Sequence, residues 1–202
     1  MANDLAELLV PDAVAWRAWL LEHHADSPGV RLVLHKKGGD VTALDYAAAL
    51  QEALCFGWID AQVNRRDEGS FFQRFVPRRP KSMWSARNVG YIAALTEAGL
   101  MHPAGIAAVE AAKADGRWDV AYAGPATAET PPDLMAAIAA NPDAQRTYDV
   151  LTSQNRFALG FRLGQAKRTE TRERRILEFV AMLERGETFY PQKKRASWGE
   201  VS

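Results

Sequence analysis

The pattern of hydrophobic and polar positions divides the chain into a first stretch that mixes strand and helix periods and a second that is helical throughout. Asp12, just ahead of Trp16, Trp19 and Leu20, predicts an N-cap and a helix of about a dozen residues that ends near the Ser27-Pro28-Gly29 turn. Val30 to Leu34 predicts a short strand, and Lys36-Lys37-Gly38-Gly39 a loop. Thr42 with Asp45 three residues later has the form of a capping box. It predicts a helix through Tyr46, Leu50 and Leu54 to Phe56, stopped at Gly57. From Trp58 to Asn64 the period is two, with Trp58, Asp60, Gln62 and Asn64 on one side and Ile59, Ala61 and Val63 on the other, as in a half-buried strand. A turn at Asp67-Glu68-Gly69-Ser70 and a second strand from Phe71 to Pro77 complete a hairpin. Pro77-Arg78-Arg79-Pro80 cannot continue a central strand and predicts an ordered, exposed connector.

Helical signals follow. Ser85 predicts a cap for a helix carrying Val89, Ile92 and Leu95 that stops at Gly99, and Pro103 opens another that reaches Asp115-Gly116. After a loop over residues 119–129, Thr130-Pro131-Pro132-Asp133 and Asn141-Pro142-Asp143 each place a cap, a proline and a first-turn acid, predicting two short helices. A long helix over about residues 169–185 shows Ile176, Phe179, Val180 and Leu183 on one face and ends at Gly186. The fold expected is α+β, with a small antiparallel or mixed sheet within about residues 29–77 packed with helices, then a helical C-terminal half. The expected division is residues 1–125, a helical part over 126–190 packed on it, and a loose polar tail over 191–202.

Composition narrows the classes. At 202 residues, 48% hydrophobic and 25% charged, the chain is an ordinary globular protein. It has no run of about 18 apolar residues, and Met1 to Leu5 lacks a basic leader, so a cytoplasmic protein without membrane insertion is expected. The net charge is zero, but it is segregated: −5 over residues 1–60, +5 over 61–95, −4 over 96–161, +4 over 162–175 and 0 over 176–202. Zero net charge argues against nucleic acid as the partner. It does not argue against a local anion site.

Candidate chemistry is sparse outside the basic segments. His23, His24, His35 and His102 lack ligand spacing, so no metal site is expected, and no motif calls for a cofactor. The single cysteine, Cys55, ends an apolar helix and reads as a small core residue rather than a nucleophile. Residues 58–88 instead interleave Trp58, Phe71, Phe72, Phe75 and Trp84 with Arg65, Arg66, Arg74, Arg78, Arg79, Lys81 and Arg87, around the acid Asp60. Arginine forks bind carboxylate and phosphate and stack on rings, which suits an anionic or planar ligand, a peptide, or a single strand of nucleic acid. A second basic patch, Lys167, Arg168 and Arg172, opens the last helix against its dipole; the expected relief is Glu170 and Glu173, with an anionic ligand as the alternative.

The FGWID stretch (Phe56 to Asp60), followed by Arg74-Phe75-Val76-Pro77-Arg78-Arg79-Pro80-Lys81-Ser82-Met83-Trp84-Ser85 and Asn88, resembles the YdeI/OmpD-associated, or bacteriocin-protection, family. The similarity extends over about residues 10–187, through Pro103-Ala104-Gly105 and Ala166 to Arg172. It departs at Ala61, where Gly is expected, and at Val76, where Thr is common. The resemblance implies bacterial stress and antimicrobial-peptide resistance, with no catalytic reaction assigned to the family. The expectation is a non-enzymatic binding protein with Trp58 and Trp84 as stacking walls, Arg74, Arg78 and Arg79 as anion contacts and Asp60 as a polar contact, with Phe75, Lys81, Ser82, Ser85 and Asn88 completing the site. Two alternatives stand beside it. One is an enzyme on a small anionic substrate with Asp60 as acid or base; the other is a module for single-stranded nucleic acid or a protein partner. The sequence does not fix an oligomeric state.

Overall fold

The computed structural model describes residues 5–122, 124 and 129–195. The chain is α+β and falls into two compact units, residues 1–121 and 122–202.

The first unit runs β1 (Glu7–Leu8), α1 (Ala13–His23), β2 (Val30–His35), α2 (Tyr46–Cys55), β3 (Trp58–Arg65), β4 (Ser70–Pro77), α3 (Ala86–Glu97) and α4 (Pro103–Ala114). The sheet order is β1-β2-β4-β3, with β1 parallel to β2 and the other pairs antiparallel. β1 lies outside the 29–77 span expected for the sheet; two residues carry no period from which a strand could be read. One sheet face meets the helices. Leu32, Leu34, Phe75 and Trp58 join Trp16, Leu20, Leu50 and Leu54 in a single core. Inside it Trp16 stacks on Trp19 and donates its indole N–H to the Ala49 carbonyl at 3.0 Å, so the ring's one donor is satisfied.

Two local expectations change. Asp45, not Thr42, caps α2, accepting from the Ala48 amide; the buried Thr42 hydroxyl donates instead to the Val10 carbonyl at 2.6 Å, tying the chain before α1 to the loop before α2. In β3 the register slips by one residue between Asp60 and Val63, so that Ala61 and Gln62 form a bulge opposite Arg74. Val63 and Arg65 thereby join the side of Trp58 and Asp60, and Asn64 goes to the other. The strand is exposed from Ala61 onward on both faces, not half-buried.

The second unit is four helices, α5 (Pro132–Ala139), α6 (Pro142–Asp149), α7 (Ser153–Gly164) and α8 (Thr169–Glu184), around Leu134, Ile138, Leu159, Leu163, Phe179 and Leu183. α7 is absent from the sequence expectation because Asn155 interrupts its apolar face of Ala158, Leu159 and Leu163. That buried Asn155 accepts from the Tyr190 amide and donates to the Tyr190 carbonyl and to Gln192. Gln192, expected in a loose tail, is therefore pinned; residues 196–202 of that tail lie outside the described residues. Asn141 caps α6 as expected, whereas Thr130 is not the cap of α5 and bonds the Tyr148 hydroxyl at 2.8 Å.

In the first unit α4 packs tightly on the end of α2. A Cβ at Gly105 would fall inside the Cys55 carbonyl, the group that accepts the His102 amide at 3.0 Å. Alanine is favoured over glycine in a helix by about 1 kcal/mol. Gly90 in α3 has open space around it. Gly90→Ala is expected to raise the urea midpoint, and Gly105→Ala to lower stability by about 1–2 kcal/mol because overlap outweighs propensity.

Candidate functional site

Asp60 is where the first unit's functional geometry gathers. The Asp45 cap puts Tyr46 at the first position of α2, and the Ser85 cap, accepting from the Asn88 amide, puts Arg87 in the first turn of α3. Tyr46 donates its hydroxyl to Asp60 Oδ2 at 2.8 Å. The Arg87 guanidinium lies 5.4 Å from the Tyr46 ring centre and 5.3 Å from that of Tyr91, and its NH2 group donates to the Tyr91 hydroxyl at 3.2 Å. Tyr46, Asp60 and Tyr91 are half-buried and Arg87 is exposed, so an acceptor, a cation and two ring edges share one accessible patch. Burial, then the Asp60 charge, push the Tyr46 phenol well above the usual tyrosine range. It remains a proton donor at neutral pH and cannot act as a base.

The other residues singled out in the sequence build the fold around this patch. Trp58 and Trp84 are each 1% exposed; they are core rings, not stacking walls. Trp58 donates to the His24 carbonyl, and Trp84 meets Trp118 edge-on. Arg78 lies 3.6 Å over Trp84 and donates to the Met83 carbonyl. A desolvated cation–π contact of that kind is worth up to about 2 kcal/mol, which makes Arg78 a structural residue. The Arg79 amide donates to Ser82 Oγ and the Ser82 amide to the Arg79 carbonyl, closing a turn whose Ser82 carbonyl also accepts from Arg117. Asn88 is 5% exposed and Phe75 fully buried. Arg79 and Lys81 remain exposed. Because Asp60 pairs with Phe75, Arg74 sits on the opposite sheet face and does not share the Asp60 patch. Tyr46, Arg87 and Tyr91 form a group that the sequence does not assemble; only the i,i+4 spacing of Arg87 and Tyr91 is visible there.

In the second unit the relief of the basic helix start comes from another helix. Arg172 grips Asp133 with two bonds, at 2.6 and 2.9 Å, rather than Glu170 or Glu173, and holds the Asp133 carboxyl below its usual range. Lys167 and Arg168 stay exposed. A cleft of about 430 Å³ opens between Thr147, Arg185, Glu187, Gln192 and Lys194. In the first unit Cys55 is buried, and desolvation pushes its thiol up, as suits a core residue. His102 caps α4 through its ring, accepting from the Ala104 amide, and stacks on Phe56. No group of three metal-ligating side chains and no helix long and apolar enough to cross a membrane occurs among the described residues.

Two family models match the chain. Residues 8–108 match a domain of unknown function (DUF8412), and residues 127–186 match the Bacteriocin-protection, YdeI or OmpD-Associated family. No curated protein and no solved structure matches. The resemblance read from the sequence is thus to the family found, but the matching segment is the helical unit, while the FGWID and PRRP stretches fall in the other model.

The raised Tyr46 phenol has a pH consequence. Its proton is held more tightly in the folded chain, so its contribution to stability is full below about pH 10, the unfolded value, and is lost as pH rises beyond it. Between about pH 9 and pH 11 the urea midpoint is expected to fall more steeply for the wild type than for Tyr46→Phe.

Proposed function

Since the chain belongs, over residues 8–108, to a family whose domain has no known function and carries over residues 127–186 a bacteriocin-protection, YdeI or OmpD-associated domain, we propose that it acts in bacterial protection against bacteriocins as a non-enzymatic binding protein. The ligand is small and anionic or aromatic, and it meets the Tyr46–Asp60–Arg87–Tyr91 patch. The observation that carries this reading is the exposed Arg87 guanidinium held over two tyrosine rings beside a carboxylate whose one oxygen is already engaged by Tyr46. A guanidinium fixed on rings loses little freedom when it binds a carboxylate or a planar group, and the Asp60 carboxylate supplies an acceptor that orients it. Binding rather than catalysis is favoured because Asp60 has no second acid or base within this patch; its neighbours are a phenol that stays protonated and a guanidinium.

Cells lacking the gene and complemented with Arg87→Ala/Tyr91→Ala are expected to lose most of the protection that the wild-type gene restores in a bacteriocin growth-inhibition assay. The same variant should unfold in one cooperative urea transition at a lowered midpoint, since Tyr91→Ala removes a half-buried ring packed against the core whereas Arg87→Ala removes only an exposed contact. Full protection by a folded double variant would remove the patch from the function.

A further inference from the structure

The sheet face turned away from Asp60 carries a second cluster of charged side chains. Register places Glu7, Arg31, Val33, His35, Phe72 and Arg74 on it. Val33 and Phe72 are buried yet belong to neither hydrophobic core. Over Phe72 lie the guanidinium groups of Arg31, 4.7 Å from the ring centre, and Arg66, at 5.9 Å. Arg66 is neutralised by Glu7 at 3.1 Å and Asp67 at 2.7 Å, so the one carboxylate beside Arg31 in the register is already engaged.

Arg31 and Arg74 are left facing one another as direct cross-strand partners. Neither pairs with a carboxylate among the described residues. Arg31 Nε donates to the Leu5 carbonyl, and Arg74 Nε is buried with no hydrogen-bond partner. Like charges directly opposite on antiparallel strands repel, and a buried donor without an acceptor is a further cost. One oxyanion between the terminal amino groups of the two guanidinium groups offsets the repulsion, because each offers a pair of N–H groups to a pair of oxygens and Arg31 is already oriented by its ring.

We propose that Arg31 and Arg74 form a binding site for a small phosphate-bearing ligand, on the sheet face opposite the Tyr46–Asp60–Arg87 patch. Both side chains are half-exposed, so the site is reached without opening the core. Arg66 stands at its margin with its charge balanced, which sets the specificity for one phosphate or diphosphate rather than a long polyanion.

The test is calorimetric titration of the full chain with inorganic pyrophosphate, beside a citrate arm and a single-stranded oligonucleotide arm. Saturable pyrophosphate binding is expected, weakened at least about tenfold in Arg74→Met and less in Arg74→Lys, which keeps the charge but loses the fork. Ligand-free Arg74→Met is expected to be at least as stable as the wild type, because it removes the repulsion and the orphaned donor. Pyrophosphate binding lost in Arg87→Ala but kept in Arg74→Met would assign the anion to the Tyr46–Asp60–Arg87–Tyr91 patch and overturn this proposal while supporting that reading, so the two fail separately. No saturable pyrophosphate binding, equal binding by Arg74→Met, or a preference for citrate would overturn the proposal. So would tight, steeply salt-dependent oligonucleotide binding with none to pyrophosphate, which would assign the face to nucleic acid.

Discussion

The register of β4 between β2 and β3 is the constraint on which the first unit depends. Side chains alternate across a strand, so a slip of one residue would send Phe75 out of the core and Arg74 into it. As it stands, Phe75 lies with Leu32, Leu34 and Trp58 under the helices, and Arg74 lies with Arg31 and Phe72 on the other face. The bulge opposite Arg74 acts on the same ladder. It lets β3 present Asp60 toward Tyr46 at one end and still leave the sheet exposed at the other. Each face therefore has a distinct electrostatic character, one a carboxylate among rings and the other two cross-strand arginines, of which Arg31 lies over Phe72.

Charge segregation takes its physical form from this arrangement. The +5 segment does not gather into one basic surface. Arg78 is engaged by Trp84, Arg66 by Glu7 and Asp67, and Arg87 by two tyrosines, while Arg74 remains opposite Arg31. The proline-arginine motif is chiefly a corner. Its Arg79–Ser82 turn and Ser85 cap deliver the chain from the end of the inner strand β4 into α3, and through that geometry they place Arg87 beside Asp60. A motif dense in cations can thus owe its residue types to backbone direction as much as to a ligand.

The second unit, which carries the bacteriocin-protection match, follows a different logic. Two of its helices, α5 and α6, have only eight residues each, and two of its organising contacts are polar and long-range. These are the Arg172–Asp133 fork between α8 and α5, and Asn155 holding the chain at Tyr190 and Gln192. A buried asparagine whose amide is satisfied specifies one arrangement where apolar packing alone would admit several.

Elements whose cause is local were legible in the sequence: the Asp12, Ser85 and Asn141 caps, the stops at Gly57, Gly99 and Gly186, the hairpin and the apolar face of α8. Caps and turns are decided by residues three or four apart, and the chain displays them directly. Composition likewise identified the basic, aromatic segment and the role of Cys55 as a core residue. What needed the tertiary structure were matters of pairing: Asp45 rather than Thr42 as cap, the bulge, the short β1, α7 around its asparagine, and the separation of Asp60 from Arg74. Trp58 and Trp84 look the same in sequence whether they wall a cleft or fill a core, and Arg31 gives no sign that Arg74 is its partner. The sequence determines which chemistry each residue can offer; which face of the sheet it is offered on is settled only when the strands are in register, because a period of two assigns sides but not partners.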